Sequence, residues 1–299
     1  MMQEIYLLFL NKQMNRIFVL FIVCLILFLN DSYPDNLSLP PDSSNKYTDP
    51  SSFEIFKYDI NKSLHDGLDI IKAPTGFSGS DWLAAGVVMG TTSLSILLDK
   101  DVRETVRNNQ TASMDNITKI GYYYGEVVPA VSLSTGLYAG GLIFNERSVS
   151  LTGRLLGESL IYAGTINLLL KILFSRSRPY KEKGNMDFWN YKFNNDFYSL
   201  PSGHSTVAFT ISTVLAERID NIYATIGLYS LAAFTAYQRI YSDNHWFSDT
   251  VVGAALGIII SRAVINLNKD DTFYSVDSND SGISLKLDRG YGFTFRFVF

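Results

Sequence analysis

Three short stretches hold side chains whose types and spacing could bind and transfer an anionic group. In LLLKILFSRSRPY, Lys171 and Arg178 stand seven residues apart, and Pro179 follows at once. Seven residues is almost two helical turns, so both cations share one face. In SLPSGHSTVAF, Pro201 and Gly203 break the backbone, Ser202 is a good helix cap, and His204 follows. The N–H groups of a helix start lack internal partners and attract anions. In QRIYSDNHWFSDTVVG, Arg239 precedes His245, and Asp249 lies four residues further on. That step puts imidazole and carboxylate on one face, where Asp249 can accept from one ring nitrogen and leave the other aimed outwards.

Each stretch alone has an ordinary reading. Cations near a helix C-terminus complement its dipole, Ser-Gly often caps and does nothing more, and a His–Asp pair can be structural. What joins them is the order of the elements. Apolar periodicity predicts helices at roughly 81–99, 115–143, 151–177, 203–218, 221–239 and 245–267, separated by short polar turns. In an antiparallel bundle the third helix ends where the fourth starts, and the fifth ends where the sixth starts. Lys171, Arg178, Ser202, His204, Arg239 and His245 then converge at one end. Fixed cations, a helix start and two histidines describe a phosphate site with chemistry attached.

Taken together, Lys171 with Arg178-Pro179, then Pro201-Ser202-Gly203-His204, then Arg239 with His245 and Asp249, resemble the three signature motifs of the type 2 phosphatidic acid phosphatase (PAP2) superfamily. Gln238 departs from the pattern, which often has Ser there. The resemblance implies an all-α fold, a six-helix PAP2/haloperoxidase-like bundle over residues 73–268, and a bacterial envelope enzyme. It implies metal-independent hydrolysis of phosphomonoester or pyrophosphate bonds, with no cofactor and no metal site. His245 would attack phosphorus, Asp249 would orient it, and His204 would protonate the leaving oxygen. Lys171, Arg178, Ser202, Gly203 and Arg239 would hold the phosphoryl oxygens. The implied substrates are lipid phosphates such as phosphatidate, phosphatidylglycerophosphate or an isoprenoid diphosphate. The alternatives are a non-specific acid phosphatase on soluble phosphomonoesters and a vanadium-dependent haloperoxidase, which shares the oxyanion cage.

The rest of the chain sets the surroundings. A net charge of -4 gives no basic field for nucleic acid, so an anionic substrate must meet a local cluster of cations. The lone Cys24 excludes an internal disulfide framework. Residues 1–30 place Lys12 and Arg16 before the apolar run Ile17 to Leu29, the order of a signal peptide or membrane anchor. Residues 31–52 read as a linker. Residues 53–72 carry Phe53, Phe56, Ile60, Leu64, Leu68 and Ile71 at helical spacing, an amphipathic helix expected to pack on the core. The segment 180–200 mixes aromatics with Lys181, Lys183 and Lys192, as a substrate-recognising loop could. Residues 269–299 alternate into a C-terminal β-hairpin. Charges at Glu126, Arg154, Glu158 and Glu217 favour an exported bundle at the membrane surface over the alternative, an integral inner-membrane protein.

Overall fold

A computed structural model describes residues 50–269 apart from Phe193. The expected signal or anchor, most of the linker and the β-hairpin lie outside these residues. Among the described residues the regular structure is helical. The α-helices are α1 Ser52–Lys72, α2 Gly79–Asn108, α3 Ala112–Tyr124, α4 Val127–Ile143, α5 Arg147–Phe174, α6 Gly203–Ile219, α7 Ile222–Tyr241 and α8 Phe247–Leu267.

Where one helix was expected over 115–143 there are two, α3 and α4, bent by 47° at their junction. Pro129 accounts for the break, because it has no N–H for the Gly125 carbonyl and its ring crowds that carbonyl. A Cβ on Gly125 would lie 2.6 Å from Thr235 Cγ2 and 2.8 Å from the His204 carbonyl oxygen. The chain therefore passes hard against α7 and the start of α6 at that point, and Glu126 is turned beside His204.

The core joins Leu151, Leu155, Leu156 and Ala163 of α5 to Val207, Ile211 and Val214 of α6 and to Ile260 and Val264 of α8. α6 and α8 run in the same sense and approach closely. A Cβ on Gly253 would sit 2.5 Å from Ser202 O, and one on Gly257 would sit 2.6 Å from Thr206 O. The GAALG spacing puts both glycines on the contact face, which lets two backbones meet.

α1 is oriented against expectation. Its stripe Phe53, Phe56, Ile60, Leu64, Leu68 and Ile71 faces outwards, while Asp59 and Asp66 are buried. The reason is a set of polar partners on the bundle. Arg154 donates to Asp59 (3.0 Å) and Asn268 (2.6 Å), Asn268 donates to Asp66 (2.6 Å), and Ser63 donates to Glu158 (2.6 Å). The sequence pattern marks an amphipathic helix correctly, but ion pairing decides which face turns in.

Three helical stretches are long and apolar enough to cross a membrane: Asp81–Asn108, Arg147–Lys181 and Phe247–Leu267, or four if α3 and α4 form one bent span. Two of the four charges that argued against spans, Arg154 and Glu158, are buried and paired inside the bundle, and both lie in the candidate span Arg147–Lys181. Leu83, Val87, Leu94, Leu97, Ile161, Leu168 and Leu169 are exposed on the outside. Removing one member of a buried ion cluster strands the others. Arg154→Ala is expected to cost about 3–5 kcal/mol, read as a lowered Tm of the detergent-purified protein.

Candidate active site

The site is built where α5 and α7 end and α6 and α8 begin. Ser202 caps α6, its side chain accepting from Ser205 N. Its own N–H donates to Asp249 O at 2.9 Å, which ties the start of α6 to the first turn of α8. The Leu200–Pro201 peptide bond is cis. At Gly203 packing makes no demand for glycine, because an added Cβ would meet only Asn167 Oδ1 at 3.9 Å and Lys171 Cε at 4.0 Å.

Three cations border this helix start. Lys171, in the last turn of α5, donates from Nζ to Tyr198 O at 2.7 Å. Arg178 is anchored by Asn195 O at 2.7 Å and Asn244 Oδ1 at 3.1 Å. Arg239 closes α7, is buried, and donates from Nη1 to Gln238 Oε1 at 3.3 Å; its Nε has no hydrogen-bond partner in the structure. Among the described residues no carboxylate forms an ion pair with Lys171, Arg178 or Arg239, and all three charges act on His245, two of them also on His204.

His245 is buried, and its Nδ1 lies 2.7 Å from Ser199 O. A carbonyl can only accept, so Nδ1 carries the proton and Nε2 keeps its lone pair. This refines the sequence reading, which gave the orienting bond to Asp249. The Asp249 Oδ2 atom is 3.5 Å from Nδ1 and instead accepts from Ser199 Oγ at 2.5 Å and Trp246 N at 2.8 Å. Burial holds the His245 ring well below the usual imidazole range, and Lys171, Arg178 and Arg239 add to this against the pull of Asp249.

His204 sits 3.2 Å through Nε2 from Glu126 Oε1, with its ring 5.2 Å from that of Tyr122. Burial and the Arg239 charge lower its pKa to about 4, partly opposed by Glu126. Glu126 was visible in the sequence only as a charge inside an apolar segment. The α3–α4 break, marked in the sequence by Gly125 and Pro129, is what brings it here. A cavity of about 570 Å³ lies alongside and shares Tyr122 and Gln238 with this neighbourhood.

Beneath Asp249 lies a layer that the motif spacing did not single out. Arg176 is fully buried and donates from Nη1 to Asp249 Oδ1 at 2.5 Å and from Nη2 to Asp99 Oδ2 at 2.6 Å. Asp99 in turn accepts from the Ser248 backbone N–H and hydroxyl, both at 2.8 Å.

Residues 152–273 match the model of the PAP2 superfamily. Over 183 residues the chain is 26% identical to a lipid A 1-phosphatase of Porphyromonas gingivalis, covering 58% of this chain and 36% of that protein. Over 121 residues it is 26% identical to a lipid A 4'-phosphatase of the same organism, covering 40% of this chain and 51% of the relative. The chain thus spans between about a third and a half of the length of these curated relatives. Among solved structures, Aquifex aeolicus LpxE is 24% identical with a TM-score of 0.46, covering 56% of this chain and 95% of that one. A transmembrane PAP2-type phosphatidylglycerolphosphate phosphatase from Bacillus subtilis is 15% identical with a TM-score of 0.48, covering 77% and 99%.

The depressed His204 pKa has a consequence for stability. An unfolded histidine takes up its proton near pH 6.5, whereas the folded one holds off until about 4, so the unfolded state binds more protons in that interval. Stability should fall as pH drops from about 6.5 towards 4. His204→Gln is expected to flatten that fall, measured by denaturation at successive pH values.

Proposed function

We propose that the chain is an integral membrane phosphatase of the PAP2 type that removes phosphate from lipids through a phosphohistidine. The observation that carries this reading is the fixed tautomer of His245. Its Nδ1 proton is committed to Ser199 O, so Nε2 is the nucleophile, among three cations of which Lys171 and Arg239 also act on His204.

In the first step Nε2 attacks phosphorus, and the bond from phosphorus to the lipid oxygen breaks in line. His204 gives that oxygen a proton and is left neutral, while Glu126, a carboxylate at the ring Nε2, favours the protonated form before the transfer. Water then attacks the phosphohistidine and passes a proton to His204, and the phosphorus–nitrogen bond breaks to release phosphate. Lys171, Arg178 and Arg239 neutralise charge on the equatorial oxygens. Ser202 acts through the helix start that it caps, since its own N–H is already given to Asp249 O. Gly203 supports the same reading: packing leaves room for a side chain there, so its absence serves whatever approaches Lys171.

A further point favours the lipid part of the proposal. The apolar exterior of the three candidate spans suits a bilayer, which would present lipid headgroups to the end of the bundle. The substrate range extends over phosphatidate, phosphatidylglycerophosphate, isoprenoid diphosphates and, from the activities named for the relatives, the phosphates of lipid A.

Detergent-purified protein is expected to release phosphate from a panel of these lipids in the presence of EDTA. His245→Ala should abolish release, and His204→Ala should lower it by about 10²–10⁴-fold. Full activity in both variants, or complete loss of wild-type activity on chelation, would sink the proposal. Gly203→Ala provides a finer test. It should keep the wild-type Tm yet lower kcat/KM by up to about 10²-fold, because the added methyl displaces the phosphoryl group.

A further inference from the structure

Arg176 lies two residues before Arg178 but does different work. All five of its N–H donors are engaged: Nε and Nη2 with Asn185 O, Nη2 also with Asp99, and Nη1 with Ser248 Oγ and Asp249. Its guanidinium also lies 4.8 Å from the centre of the Phe188 ring and 5.6 Å from that of Trp246. Arg176, Asp99 and Asp249 are all fully buried. None of them can exchange its partners for water, so the geometry of each depends on the other two.

We infer that Arg176 and Asp99 are positioning residues for the proposed phosphoryl transfer, acting on His245 through Asp249. The inference rests on the function proposed above, with His245 as nucleophile. Arg176 holds one oxygen of Asp249, while Ser199 Oγ and Trp246 N hold the other. The carboxylate is thereby kept 3.5 Å from Nδ1, and the Nδ1 proton stays on Ser199 O.

Charge gives Asp99 a separate part. One arginine between two carboxylates leaves a net charge of minus one, which faces His245. The opposing field comes from Lys171 on α5, Arg178, and Arg239 on α7. When Nε2 bonds to phosphorus the ring becomes cationic, and that remaining negative charge stabilises it. With Asp99 neutral, Arg176 would cancel Asp249, and the developing imidazolium would lose its counter-charge.

The test uses the full chain in detergent, with Asp99→Asn and Arg176→Lys as variants. The first removes charge without changing shape, and the second keeps charge but cannot bridge both carboxylates. Both are expected to lower kcat by about 10–100-fold with KM little changed, the pattern of a group that acts only in the transition state. A second readout does not depend on turnover. The chain has three histidines, so ¹⁵N-histidine spectra can be assigned by single substitutions. In both variants the His245 ring shifts should move while those of His65, on α1, stay in place. Folded variants with unchanged kcat, a rise in KM alone, or unmoved His245 shifts would each overturn the inference. Movement of the His245 signals in a protein that hydrolyses no lipid phosphate would uphold the coupling and reject the reaction.

Discussion

The contact between α6 and α8 is the constraint on which the site depends. Two glycines one turn apart let the helices meet backbone to backbone, and any side chain at Gly253 would collide with Ser202 O. Ser202 N can therefore reach Asp249 O, and the caps of two helices become one unit. The histidine of one motif and the His–Asp pair of another are thereby held at fixed separation. α5 is fastened to the same unit by Asn167, which donates to Thr206 Oγ1 at 2.9 Å. Because the interior is close-packed, a small change in this spacing cannot be absorbed locally.

The sequence disclosed the site better than its support. Lys171, His204, Arg239 and His245 were legible because each lies at or beside a helix end, and an antiparallel order brings such ends together. Arg178 lies four residues beyond the end of α5 at Phe174, so it reaches the site from the following loop and not from a helical face shared with Lys171. Arg176, Asp99 and Ser199 were not legible. Arg176 and Ser199 are in the segment between α5 and α6, where no periodicity reports direction, and Asp99 looks like any charge near the end of a long helix. The α3–α4 break was missed for a related reason. The apolar pattern runs across Gly125 and Pro129, although the proline lacks the N–H that a continuous helix would direct to the Gly125 carbonyl, and the packing against Gly125 is not visible in the sequence. α1 shows the limit of hydrophobic patterning, which locates two faces and leaves their orientation to the partners that ion pairing supplies.

Charge is distributed differently at the two ends of the bundle. Away from the site, Arg154 and Lys62 stand among Asp59, Asp66 and Glu158, with hydroxyl and amide groups filling the remaining bonds. That cluster sets two cations among three acidic groups and holds α1 in place. At the other end Lys171, Arg178 and Arg239 crowd together with backbone carbonyls and side-chain amides as partners. Like charges held close in a poorly hydrated place raise the energy of the empty site. In the proposed reaction a phosphate dianion would relieve that repulsion, so the scaffold would contribute to affinity before any contact specific to the lipid is made.

The docking of α1 also fixes a direction of travel. Ser52 meets Leu142 O at the end of α4, beside the start of α5, and Asp59 and Ser63 then step along α5 at Arg154 and Glu158. From Arg147 to Lys171, α5 rises about 36 Å, close to the thickness of a bilayer. The chain thus enters the described region on the face remote from the phosphoryl cage. If α5 spans the membrane, a partner or tether attached immediately before Ser52 occupies the opposite aqueous compartment from the reaction, and would report on that side of the membrane.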